Sequence, residues 1–253
     1  MPSLAVSALV FISLLAGAGL GMWGARRLRA EHLSKETQEA VKLGVGMVAA
    51  MSSLILGLMT ASVKGNFDAT SRDVQQFATT LITLDVSLRA YGPGAGDARQ
   101  ALRAYTRHAL EETWPEDPGV RSQVQSGTSE QLMLDLGRRV RALTPTDADQ
   151  TELKAEAITG FQTISALRWN VIAESETVVP PVFIAVLIAW LTLIFVSFGL
   201  FAPINRVSLV MFVLCSASLA GALFLILELG GPFEGVIKVP ATAMRTALAH
   251  MSG

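Results

Sequence analysis

Apolar residues gather into four long runs, two near each end of the chain: Ser3 to Trp23, Val41 to Val63, Val182 to Ala202 and Val207 to Leu229. Each reaches the roughly 20 residues needed to cross a bilayer core of about 30 Å. In hydrocarbon a backbone satisfies its hydrogen bonds only in helices or in a closed barrel, and none of these runs alternates with a barrel strand's period of two. The pattern predicts an all-α integral membrane protein with four transmembrane helices, about 3-25, 41-63, 182-202 and 207-229, in two hairpins.

The second helix is expected to outrun the membrane. Phe67, Val74, Phe77, Ala78, Leu81, Leu84 and Leu88 recur on one helical stripe, with Asp68, Arg72, Asp73 and Gln76 between them. Gly92 and Pro93 end that rod after Tyr91. Further helices are predicted from Asp97 to Thr113, from a capping-box-like Thr128-Ser129-Glu130-Gln131 to Leu143, and from Thr146-Asp147 to about Glu176. The expected organisation is therefore 1-63 as a first transmembrane hairpin and 64-179 as a helical extramembrane domain continuous with helix 2. A second hairpin over 180-229 and a C-terminal tail over 230-253 complete it. In the tail, Ala241, Met244, Leu248 and Met251 share one side opposite Arg245, a pattern suited to the bilayer interface.

Composition agrees: 51% of the residues are hydrophobic and only 16% charged, and the net charge of -1 gives no reason to expect a nucleic-acid partner. The single cysteine, Cys215, lies within the fourth run and can form no intrachain disulfide. The first run has no basic residue before it and is followed by Arg26, Arg27 and Arg29, so it reads as a retained helix rather than a signal peptide. The first loop carries those arginines and Lys35, and the link between helices three and four carries Arg206. The positive-inside rule then puts both short loops in the cytoplasm, with the helical domain and the termini extracytoplasmic.

Catalysis finds little support. His32, His108 and His250 stand apart, and His108 with Glu111 and Glu112 lacks the second histidine of a metal motif. No enzyme activity, metal or cofactor is expected. Gly17, Gly19, Gly21 and Gly24 sit in the first membrane helix, where small residues let helices approach closely. Helix 2 carries a more telling stripe: Gly46, Ala50, Ser53, Gly57, Thr60, Lys64 and Asp68 recur at intervals of three and four. Such a stripe is either a packing face or one wall of a water-filled path, and Leu54 and Leu58 are candidates for a gate beside it. Glu228, near the end of helix four, is expected to snorkel to water. Asp85 and Arg168, each on an apolar helical face, are the candidate structural ion pair, within one chain or across a subunit boundary.

The stretch Trp190 to Asn205, read WLTLIFVSFGLFAPIN, resembles a signature of a bestrophin-like family of bacterial integral membrane proteins. Leu227-Glu228-Leu229 with Pro232-Phe233-Glu234-Gly235, Gly57 to Asp68, and Asp85 with Tyr91-Gly92-Pro93 match as well. One departure is Gly230, where the family usually has an acid or an amide. The resemblance implies an oligomeric ion channel with four membrane helices and a large helical domain between the second and third. It implies a homo-oligomer, a pentamer by family analogy, conducting inorganic ions across the bilayer of a bacterial inner membrane. Bestrophins keep that domain in the cytoplasm, opposite to the orientation the basic residues favour, and no acidic cluster here matches their calcium clasp. Two functions remain: a homo-oligomeric channel lined by helix 2, or a membrane-anchored scaffold or sensor whose helical domain binds a partner without conduction.

Overall fold

The computed structural model describes residues 2–29, 34–115, 126–174 and 180–252. All regular structure among them is helical: α1 (Pro2–Arg27), α2 (Lys35–Tyr91), α3 (Gly96–Thr113), α4 (Ser126–Arg141), α5 (Ala148–Glu174), α6 (Pro181–Phe201), α7 (Arg206–Leu229) and α8 (Thr242–Ser252). A single 3-10 turn, Pro93–Ala95, separates α2 from α3. Four helices, α1, α2, α6 and α7, are long and apolar enough to cross a membrane. The chain divides into two compact units, Met1–Phe67 with Thr177–Ile237, and Asp68–Glu176 with Lys238–Gly253.

In the first unit α1 packs on α6 and α7. Its approach to α6 is backbone to backbone. A Cβ on Gly21 would lie 2.1 Å from the Val196 carbonyl oxygen, and one on Gly199 would lie 2.1 Å from that of Ala18. Only glycine fits either place. The resulting contact lets Ser13 and Thr192 share a hydrogen bond of 2.9 Å between helices, a satisfied polar pair of the kind that ties membrane helices together. Val10, Leu14, Leu187, Leu191, Phe195 and Leu223 fill the core around it. Pro181 opens α6 where no intrahelical donor is needed, and the Asn205 side chain caps α7 by accepting the Ser208 N–H at 2.8 Å.

Glu228 departs from the snorkelling expectation. It is 4% exposed and accepts hydrogen bonds from the Ser3 hydroxyl and from the Val236 and Ile237 N–H groups. Gly235, at φ 74°, has no room for a side chain because Glu228 occupies that space. The Leu-Glu-Leu and Pro-Phe-Glu-Gly segments thus form one latch, in which a buried carboxylate folds the chain back after α7. Its desolvation is offset by three donors.

The second unit is built from the later part of α2 with α3, α4, α5 and α8. Leu81, Leu84, Leu88, Leu102, Tyr105, Leu136 and Ile164 form its buried interior, and Phe77 meets Tyr105 edge-on at 6.5 Å. Burial drives the Tyr105 hydroxyl up to about 12, the nearby Arg168 charge opposing it. Two features of this unit differ from expectation. The fourth helix already runs from Ser126, and Ser129 is spent on a hydrogen bond to Glu112 of α3 rather than on a cap. The amphipathic tail segment is not left open for lipid: in α8, Met244, Ala247 and Met251 are buried, α8 packs on α3, and Trp114 Nε1 donates to the Val239 carbonyl at 2.8 Å.

Candidate pore-lining face

Within the first unit α2 has three sides. Val45, Val48, Ala49, Leu56, Met59 and Val63 turn to the core, and Ser52 is buried among them with its hydroxyl bonded back to the Val48 carbonyl at 2.8 Å. The predicted stripe lies about a third of a turn away at roughly 100° per residue. Gly46, Ala50, Ser53, Gly57, Thr60 and Lys64 are all exposed in the single chain, and Asp68 is half-buried. A Cβ on Gly46 or Gly57 would meet nothing within 4 Å. Leu54 and Leu58, 65% and 62% exposed, stand roughly opposite the packed side. The stripe and the leucines are therefore separate, neighbouring faces, and neither is covered by the chain's own helices.

From Gly46 to Asp68 the stripe extends about 33 Å at 1.5 Å per residue, the thickness of a bilayer core. Its chemistry is sparse. The Thr60 hydroxyl donates to the Leu56 carbonyl at 2.7 Å, leaving the oxygen free to accept. Small residues leave room beside the backbone, so copies of α2 meeting on this side would either touch closely or enclose water. At the far end the Lys64 ammonium stands 6.0 Å from the Phe67 ring centre, a cation–π contact at its outer limit.

The Asp85–Arg168 pair does not form within the chain. Asp85, 1% exposed, is held instead by Arg89 at 3.0 Å and by Arg99 at 2.9 Å. Arg168 lies 5.9 Å from the Tyr105 ring centre. The i,i+4 spacing of Asp85 and Arg89 was visible in the sequence, whereas Arg99 reaches back only because Gly92, at φ 94°, turns the chain. Arg89 also donates to the His250 carbonyl at 3.3 Å, and Arg103 to that of Met251. These cations receive the free carbonyls at the end of α8, where the helix dipole is negative. Among the described residues no group of three or more His, Cys, Asp or Glu side chains could hold a metal ion. His32 lies outside the described residues.

A model of the Bestrophin-like domain matches residues 12–244. Among solved structures, a point variant of a bacterial bestrophin homologue from Klebsiella pneumoniae is similar at a TM-score of 0.69 and 15% identity, over 96% of this chain and 99% of that one. A second structure of a bacterial bestrophin homologue from Klebsiella pneumoniae gives 0.65 and 16%, over 95% and 96%. A variant described as a membrane protein gives 0.69 and 14%, over 96% of each chain. None of the curated protein sequences matches. Identities this low show a common fold, and the family match spans nearly the whole chain: the protein belongs to the Bestrophin-like family.

Proposed function

We propose that this protein is a homo-oligomeric ion channel in a bacterial inner membrane, with α2 lining the pore. Membership of a family related to the bestrophin channels supports conduction at family level. The observation that carries the finer reading is the uncovered membrane-spanning part of α2: a small and polar face running from Gly46 to Lys64, left open by its own chain. Lipid gains little against Gly46, Ser53, Gly57 and Thr60, whereas water or a second helix is well served there. Several copies arranged around an axis would put that narrow face inward, with Ser53 and Thr60 oxygens replacing part of an ion's hydration. A ring of Lys64 would repel cations, and Asp68 one turn on would temper it. The neighbouring face offers Leu54 and Leu58 as a dewetting constriction if α2 turns by a fraction of a revolution.

The test is electrical, on the purified protein in planar bilayers. Conductance is expected, with a reversal potential that moves on Lys64→Glu. An active preparation whose reversal potential ignores that change would make α2 a packing face. Absence of conductance together with a monomer or dimer in solution would favour the scaffold reading. Orientation is a separate matter: the basic residues favour an outward helical unit, and the bestrophin layout an inward one. In a Cys215→Ser background, Thr128→Cys labelled by an impermeant reagent in intact cells supports the outward arrangement, and protection until lysis reverses it.

A further inference from the structure

Where the last turn of α1 meets the α6–α7 link, a cavity of ≈550 Å³ carries two arginines from different helices, Arg26 of α1 and Arg206 at the start of α7. No salt bridge from either is present among the described residues. Asn205 and Ser208 also line the cavity. The Asn205 cap satisfies only the Ser208 N–H, so the remaining first-turn donors and the positive end of a 24-residue helix dipole add to the potential there. The rest of the lining is apolar, with Met22, Ile204 and Leu209 beside the arginines. Trp23 lies at the same place, with the Arg27 guanidinium 4.5 Å over its ring, an arrangement typical of the headgroup level of a bilayer.

We propose that this cavity binds the phosphate headgroup of an anionic phospholipid. The phosphate would sit between Arg26 and Arg206, within reach of the Ser208 hydroxyl, and the first acyl methylenes would cover Met22, Ile204 and Leu209. A guanidinium pair suits a phosphate because each offers a planar fork of donors. Basic pockets between membrane helices take lipid headgroups for this reason. A free phosphate would leave the apolar lining uncovered, and a zwitterionic lipid would place its own cation against two arginines, so charge and shape together select an anionic lipid. The volume falls in the range of roughly 300–1,000 Å³ usual for ligand sites. The inference stands whether or not the protein conducts.

The experiment uses delipidated, full-length protein in detergent, titrated with phosphatidylglycerol or with phosphatidylcholine of the same chains and followed by native mass spectrometry. Phosphatidylglycerol is expected to bind roughly tenfold more tightly than phosphatidylcholine, and millimolar inorganic phosphate should not displace it. Arg26→Gln with Arg206→Gln should abolish most of that preference, Arg26→Lys with Arg206→Lys should keep part of it, and Arg245→Gln should leave it unchanged. Equal binding of the two lipids to the unaltered protein would overturn the proposal. So would a preference that survives the double glutamine change, one lost equally in Arg245→Gln, or displacement by inorganic phosphate.

Discussion

One continuous helix behaves in opposite ways along its length. Between Asp68 and Tyr91, α2 buries Val74, Phe77, Ala78, Leu81, Leu84, Asp85 and Leu88 within its own chain. Between Val41 and Val63 the same helix buries only Ser52 and Val63 and rests Val45, Val48, Ala49, Leu56 and Met59 against the core, leaving its other flanks open. Exposure of leucine alone would mean little in a membrane, because lipid is as apolar as the side chain it touches. What distinguishes this segment is that its open flank carries glycines, hydroxyls and a lysine. The later half is finished by the chain's own α3, α4, α5 and α8. The earlier half keeps an open flank, and the proposal is that other copies of itself complete it around water.

The sharpest way to break this contrast is a paired truncation. Leu81→Ala, at a position with 0% exposure, should destabilise the protein by roughly 2–5 kcal/mol through lost burial and the cavity left behind. Leu54→Ala should cost under about 1 kcal/mol in the detergent-solubilised monomer, since no core collapses around it. Thermal unfolding of the two variants, followed by size-exclusion chromatography, checks both. Equal losses would mean that Leu54 is packed after all.

Charge gives the next test. Asp85→Ala leaves Arg89 and Arg99 without their buried acceptor, at an expected cost of roughly 2–3 kcal/mol. That is below the figure for a fully buried pair because both arginines are partly exposed. Arg168→Ala should cost less, and combining it with Asp85→Ala should give additive losses, as for residues that share no bond. Strong non-additivity would restore the Asp85–Arg168 pair.

Alkaline titration probes the same unit through Tyr105. Its folded-state value of about 12 lies above the usual 10, so the native state holds the proton where the unfolded chain releases it. The contribution is whole below pH 10 and is lost as pH rises from 10 to 12, by roughly 2–3 kcal/mol from 1.36 kcal/mol per unit. Tyr105→Phe should remove this part of the alkaline decline in melting temperature.

The four helices long and apolar enough to cross a membrane, the rod of α2 and the end of that rod at Gly92 are legible because each follows from runs, periodicity and breakers along the chain. The stripe from Gly46 to Asp68 was legible as a pattern, and its emptiness was not, because coverage depends on where α6 and α7 lie. Asp85 was recognised as a polar residue on an apolar face. Its partner Arg99 is not legible there, because Arg99 approaches only after the Gly92 turn reverses the chain. Glu228 looks interfacial in the sequence, since nothing local shows that Gly235 clears a space for its carboxylate. Likewise the tail's amphipathic pattern was correct, but a pattern names a buried face without saying whether lipid or α3 buries it.

The smallest expected effect is the one that most directly separates the two halves of α2. Gly57→Ala adds a methyl where nothing lies within 4 Å, at a helical position where alanine is favoured over glycine by about 0.5–1 kcal/mol. The monomer should therefore be unchanged or slightly more stable in a thermal melt. If copies of α2 surround a water-filled path on this side, the added methyl narrows it, and single-channel conductance should fall modestly while assembly persists. If instead the stripe is a tight helix–helix contact, the methyl would push neighbouring backbones apart, and the oligomer should weaken on size-exclusion chromatography with multi-angle light scattering. The same substitution thus reads in conductance for a pore wall and in stoichiometry for a packing face. A loss of monomer stability would contradict both, since it requires a neighbour that the chain itself does not place there.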